Sequence, residues 1–554
     1  LDDQPVLPVL PDPPDLPWLQ STNVSDSNPT DRMCLRCATT LVVVVAAAFV
    51  LSFGVVYGTY AASDTDPFGY VSEADLIAHG SLSMPNDLAR QMPWPFAEES
   101  FTPAGYGTRA DHTIVPTYPP GLPLLMAGFQ RLAGRESVYY VVPLLGALAV
   151  LMTGRLGHGL GGPAIGVSAA VLLASSPIFL HQVVQPVSDV AATAWWVTAL
   201  SLTVAGGPVA SFGAGLAASM ATLTRPNLVP LAAVLAGYLA WSAVRRGGEG
   251  RHEVRRLAIF CGAALPGCLA VAWFNAALYG GPLSTGYGDL GKLYSLSHLW
   301  PNLQRYPLWL VQLHSPLIVV GVLYPLVHRK TRAGSGAGPM GRDRAWPLLV
   351  WVAVVVLSYL VYVPWDGWGY LRFLLPAIPV CIVLSASVVH SLPNRATRRA
   401  ATGTTAGVTA IGAVATAAWV AWQAYQVVGS GVFTLRDAEQ RYVDVGRYLD
   451  RATPRESVFI TGAHSGSLLY YTGRRTIQYD KLGAGWLDEA VKILTERGYR
   501  LYIVLEDAEE GPFRERFGGQ TLLGRLDWPP AVQRTEPVQV RIYDPAERPR
   551  YMAG

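Results

Sequence analysis

Long apolar runs alternate with short polar intervals over most of this chain. After Ala38 to Ala62, further runs fall near 138–154, 163–180, 189–206, 208–223, 227–243, 257–278, 306–327, 346–364, 371–391 and 401–427. They approach the roughly 20 residues a helix needs to cross a bilayer, and they are too many for one soluble core. The pattern predicts a polytopic α-helical membrane protein with about eleven transmembrane helices. One more apolar stretch, "YPPGLPLLMAGFQRLAG" (Tyr118 to Gly134), opens on paired prolines and is short for a span. It is predicted to lie in the interface as a re-entrant or surface helix.

The polar intervals divide the chain into three parts. Residues 1–36, with Pro5, Pro8, Pro11, Pro13, Pro14 and Pro17 among many Asp and Ser, are predicted to form a disordered cytoplasmic tail. Residues 37–427 form the transmembrane domain, and 63–137 its long first external loop. In residues 428–554, "ESVFITG", "RLYIVLED" and "PVQVRIYDP" read as strands, with a helical pattern over Leu487 to Arg497 between the first two. A small C-terminal α/β domain is predicted there.

Basic residues orient these parts. Arg245, Arg246, Arg251, Arg255 and Arg256 form one cluster, Arg329, Lys330, Arg332, Arg342 and Arg344 a second, and Arg395, Arg398 and Arg399 a third. If the segment from Tyr118 does not cross, all three fall on one side with Arg32 and Arg36, the cytoplasmic side by the positive-inside rule. The N-terminus is then cytoplasmic, the C-terminal domain extracytoplasmic, and the location an inner or plasma membrane.

Composition agrees with a membrane protein, at 51% hydrophobic and 15% charged residues. A net charge of only +3 points to neither nucleic acid nor an acidic partner. Cys34 and Cys37 stand two residues apart, but no second pair or nearby histidine completes a zinc site.

The first external loop carries the candidate chemistry. "SDTDPFGYVSEADLIAHG" (Ser63 to Gly80) places Asp64 and Asp66 where the first span ends, ahead of an amphipathic stretch. An acidic pair outside the first span, interfacial segments, many further spans and a C-terminal extracytoplasmic domain together resemble the GT-C superfamily of integral-membrane glycosyltransferases. Within it, "DTDPFGYVSEADLIAHGSL" followed by "YPPGLPLLMAGFQRLAG" resembles the protein O-mannosyltransferase and aminoarabinose transferase branch, family 39. The resemblance implies Asp66, or its neighbour Asp64, as catalytic base, and a sugar on a polyprenyl phosphate as donor. A second acid at the mouth of a later span matches Asp189 in "VQPVSDVAATAWW". Tyr118 departs from the family, whose Pro-Pro segment usually has Lys before the prolines.

Such a transfer needs a carboxylate to take the acceptor's proton and positive charge near the departing phosphate, ideally a bidentate Arg where water is scarce. Outer-rim cations are few: Arg225, Lys292, Arg305 and Arg372. Arg225, Lys292 and Arg372 are the candidate phosphate ligands. Arg372, at the head of an apolar span, requires a partner, which a lipid phosphate or the Asp366 carboxylate would supply. Tyr118, Tyr287, Asp366 and His464 are candidate acceptor or substrate-cavity residues. A divalent ion on Asp64 and Asp66 is compatible with the sequence, as is its absence. Plain structural readings stand beside these: helix N-caps for Asp64, Asp66 and Asp189, a snorkelling arginine for Arg372, and a turn residue for His464.

The partners implied are a polyprenyl-phosphate sugar donor, an acceptor that is a lipid, a glycan or a protein, and the membrane. Two other functions compete: a transporter or flippase of lipid-linked saccharides, and a non-catalytic assembly subunit. A transporter is expected to carry paired inverted repeats, and no such internal similarity is visible. The acids collect instead at outer span mouths.

Overall fold

The computed structural model describes residues 29–245, 250–324, 342–400 and 405–553. Most of the predicted N-terminal tail lies outside them, and the first helix already runs from Pro29 to Tyr57. Among the described residues, five helices are long and apolar enough to cross a membrane: Cys37–Tyr57, Arg135–Gly161, Pro226–Arg245, Arg251–Tyr279 and Trp368–Ser391. The pair Pro163–Ala174 and Pro177–Val183, bent by 59°, makes a sixth if it is one broken span.

The difference from about eleven has identifiable causes. The run near 306–327 is broken at Ser315, whose φ of +65° cannot continue a helix. Ser188–Ala205 is diluted by Asp189 and several hydroxyl residues, and Pro208–Thr224 has only 17 residues. The runs near 346–364 and 401–427 adjoin residues outside the described set.

Small residues bring these helices together. A Cβ on Gly215 would fall 2.4 Å from the Phe260 carbonyl oxygen, and one on Gly267 2.4 Å from that of Ser219. Pro208–Thr224 and Arg251–Tyr279 therefore touch backbone to backbone, as small residues allow in membrane bundles. Deeper in the bundle Trp196 and Trp351, both fully buried, meet edge to face at 5.8 Å.

In the first loop, the helix Asp66–Ala78 leads into a small antiparallel sheet ordered β1-β3-β2, with β1 at Met84–Pro85, β2 at Tyr106–Thr108 and β3 at Thr113–Pro116. The segment after Tyr118 forms a helix over Gly121–Ala133. Its 13 residues reach about 20 Å, short of the ~30 Å of bilayer hydrocarbon. It lies against Asp66–Ala78, where Gln130 Nε2 donates to Asp75 Oδ1 at 2.7 Å.

The C-terminal part holds a five-stranded sheet, ordered β5-β4-β6-β8-β7. Three of its elements match the sequence reading: β4 at Ser457–Thr461, β6 at Arg500–Glu506 and β8 at Val540–Tyr543, with the helix Leu487–Glu496 between β4 and β6. The edge strands β5 (Arg475–Gln478) and β7 (Val532–Arg534) are additions. β4 pairs parallel with β5 and β6, whereas β8 is antiparallel to β6 and β7. The helix Ser465–Thr472 carries this sheet onto the first loop. The Ala62 amide donates to the Tyr471 hydroxyl at 2.8 Å, the Ala104 amide donates to Ser465 Oγ at 3.3 Å, and Gly466 leaves room for the Phe68 ring.

Candidate active site

Asp66 opens its helix and does not cap it. Thr65 is the N-cap residue, with no side-chain capping bond, and Pro67 sits in the first turn, where its missing N–H costs nothing. Both Asp66 oxygens are turned elsewhere. Oδ1 accepts from the Tyr118 hydroxyl at 2.6 Å, and Oδ2 accepts from Arg372 Nη2 at 2.7 Å. The Tyr118 ring reaches Asp66 because Gly69, one turn further along, has no side chain: a Cβ there would fall 2.1 Å from the ring. Asp64 is exposed in the preceding turn, at φ +45°, a left-handed conformation that Asp tolerates better than most residues.

Arg372 connects Asp66 to a second acid. Its Nη1 lies 3.8 Å from Oδ2 of Asp189, whose Oδ1 accepts from Arg225 Nη2 at 2.7 Å. Asp189 is 1% exposed and sits inside the first turn of Ser188–Ala205, whose N-cap is Val187; it closes no helix end. The Ser188 hydroxyl accepts from the Tyr70 hydroxyl at 2.7 Å and from Arg225 Nε at 3.2 Å. The Tyr70 and Tyr118 rings pack at 4.6 Å, closing a ring of contacts that returns to Asp66. Tyr359 accepts through its hydroxyl from Arg225 Nη1 and from Asn227 Nδ2.

A cavity of about 690 Å³ adjoins this ring. Tyr70, Tyr118, Ser188, Arg225, Tyr287 and Tyr359 form its polar side. Cys268, Val271, Phe274 and Leu278 from Arg251–Tyr279 contribute to its apolar side. Asp66, Arg372 and Asp189 are not in the wall; Tyr118 and Arg225 are what join them to it.

The charges set the state of the acid. Burial pushes the Asp66 carboxyl up, but the Arg372 guanidinium and the Tyr118 hydroxyl outweigh it and hold the group below the usual carboxylate range. Asp66 is therefore ionised and well hydrogen-bonded.

The remaining sequence candidates divide. Tyr287 lines the cavity, with its ring edge-on to Tyr118 at 6.1 Å. Asp366 does not reach it: this carboxylate is 92% exposed and pairs with Arg305 at 2.6 Å, so it is not the partner of Arg372. Lys292 is exposed on the turn Leu290–Lys292; its neighbours Leu290 and Leu293 line the cavity, and Lys292 does not. His464 follows β4 as the sequence suggests, but it is fully buried, with Nε2 3.2 Å from Glu506 Oε1 and its ring against Tyr442. It packs beneath the sheet and is not in the wall of the cavity described above. Among the described residues, no three His, Cys, Asp or Glu side chains gather to hold a metal ion. Asp64 and Asp66 would offer two carboxylates, one already in contact with Arg372. Tyr70, Ser188, Asn227 and Tyr359 are site residues that the sequence reading passed over. Tyr70 alone carried a signal, standing four residues after Asp66 and so on the same helix face.

This architecture recurs in solved structures. ArnT from Cupriavidus metallidurans bound to undecaprenyl phosphate superposes with a TM-score of 0.54 at 14% identity, covering 90% of this chain and 97% of ArnT. The fold is the GT-C fold. Apo ArnT gives 0.52 at 13% identity, over 91% of this chain and 97% of that one. An oligosaccharyltransferase from Archaeoglobus fulgidus in the apo form gives 0.49 at 14% identity, over 86% and 71%. No family model and no curated protein sequence matches the chain. The resemblance of the first loop to GT-C enzymes thus holds at the level of the whole fold, with the acidic turn at the junction of bundle, loop and C-terminal sheet.

Proposed function

We propose that this protein is an integral-membrane glycosyltransferase that moves a sugar from a polyprenyl-phosphate donor to an acceptor hydroxyl on the outer face of the membrane. One observation carries the reading: Asp66, Arg372, Asp189 and Arg225 alternate in charge and in contact, and the last of them enters a largely apolar cavity. An apolar wall suits a prenyl chain, and a guanidinium at its end suits a phosphate. The ArnT structure with undecaprenyl phosphate supports the same donor class for this fold.

In this reading Asp66 is the general base and Arg225 and Arg372 bind the donor phosphate. Asp189, buried between the two arginines, is a positioning residue that keeps them together against their mutual repulsion. Asp64, on the exposed side of the turn, faces the acceptor's approach. Tyr118, at the position where the family usually has lysine, orients Asp66 through its hydroxyl. Attack from the Asp66 side with phosphate leaving on the cavity side inverts the anomeric configuration.

Cys268 provides the direct test, because it lies in the cavity wall. Undecaprenyl phosphate should protect it from an apolar thiol reagent, and unprotected Cys268 at saturating lipid would remove the donor site from this cavity. Asp66→Asn should keep that protection and lose transfer by about 10²-fold or more, since Asn keeps the shape but takes no proton. Near-normal transfer by this variant would assign the base elsewhere.

A further inference from the structure

An in-line displacement separates the base from the cation that holds the leaving group. A proton-transfer contact and an attack contact, each about 3 Å, already put the base about 6 Å from the anomeric carbon, and the cation lies beyond that carbon and the leaving oxygen. Arg372 Nη2 is instead 2.7 Å from Asp66 Oδ2. In that position it cannot hold a phosphate on the far side of the anomeric carbon. It also occupies the oxygen that would take the proton, because the other, Oδ1, is held by Tyr118. The guanidinium has a place to go: Asp189 Oδ2 is buried without a hydrogen-bond partner 3.8 Å from Arg372 Nη1.

Resting on the donor-site reading above, we propose that the contact between Arg372 and Asp66 is a latch that the donor phosphate opens. The phosphate draws the guanidinium toward Asp189 and Arg225, Oδ2 of Asp66 is released, and only then is Asp66 a competent base. Tyr118 keeps Oδ1 fixed throughout. The acceptor hydroxyl then gives its proton to Oδ2 as its oxygen bonds the anomeric carbon, and the electron pair of the breaking bond leaves on the polyprenyl phosphate. Donor binding must precede productive acceptor binding. An idle enzyme thus keeps its carboxylate neutralised and offers no activated base to water.

The latch is tested on the full-length protein in nanodiscs with undecaprenyl phosphate as probe. Dicyclohexylcarbodiimide modifies protonated carboxyl groups, and mass spectrometry of the Ser63 peptide separates Asp66 from Asp64. Losing one close cation raises a carboxyl by about one unit or more, so the lipid should increase Asp66 modification about tenfold. Modification of the exposed Asp64 serves as an internal control. Arg372→Gln should be modified rapidly without lipid and show no further rise. Tyr118→Phe leaves the latch intact and should keep the lipid-dependent rise, which preserves the test if the arginine variant does not fold. Protection of Cys268 without a rise at Asp66 overturns the latch and leaves the donor site standing. Absence of both effects overturns the two together.

Discussion

At the residue scale, two contacts decide how Asp66 behaves. Arg372 and Tyr118 favour its ionised form against burial, so its contribution to stability is full above the unfolded carboxylate value of about 3.9 and is lost as pH falls through the lower folded value. The charged and titratable groups facing it are Arg372 and Tyr118 in contact, Asp189 and Arg225 behind them, and Asp64 in its own turn. The acid limb of kcat/KM, which reports the donor-free enzyme, should therefore lie below the ordinary carboxylate range. The limb of kcat, which reports the donor-bound enzyme, should lie higher if the guanidinium has moved. Superimposed limbs would mean that Arg372 stays on Asp66 through the cycle. Arg372→Lys tests the fork itself: it keeps the charge, and should lower turnover more than donor affinity because a lysine cannot hold two phosphate oxygens in one plane.

At the element scale, the helix Asp66–Ala78 shows what the sequence disclosed and what it hid. Apolar runs, the strands β4 and β6 and the helix Leu487–Glu496 were legible because each carries its own period over enough residues. The short edge strands were not, since they depend on neighbours distant in sequence; the break at Ser315 did carry a local signal, the proline that follows it, which the reading passed over. The same holds for the site. Asp366, six residues before Arg372, was the obvious local partner, yet the segment Trp368–Ala377 turns Arg372 inward to Asp66, 306 residues away, and leaves Asp366 in solvent with Arg305. Gly69 is the clearest case of a hidden requirement. Alanine there improves helix propensity by roughly 1 kcal/mol. Its methyl would nevertheless stand 2.1 Å from the Tyr118 ring. Overpacking typically costs about 1–3 kcal/mol, so sterics should win. Gly69→Ala is expected to lower the thermal midpoint and to reduce transfer by displacing Tyr118 from Asp66. A variant with raised stability and full activity would show that Tyr118 is free to move without consequence.

At the scale of the whole molecule, the function depends on which side of the membrane the acidic turn occupies. The helix Gly121–Ala133 is too short to cross, as a topology with the N-terminal arginines and the three basic clusters on one side needs. The structure adds a link that the charge pattern lacks. Ala62, Phe68 and Ala104 all touch the helix Ser465–Thr472 or the residues packed with it, so the C-terminal sheet and the Asp66 turn share one side. A single reporter therefore locates both. A reporter active only in the cytoplasm, fused after Gly554, should be silent, and one active only outside should give signal. Strong cytoplasmic activity would carry the sheet, Asp64 and Asp66 inward together. A donor phosphate bound in this cavity would then be presented to cytoplasmic acceptors, and the outer-face reaction would fail even with every contact of the site intact.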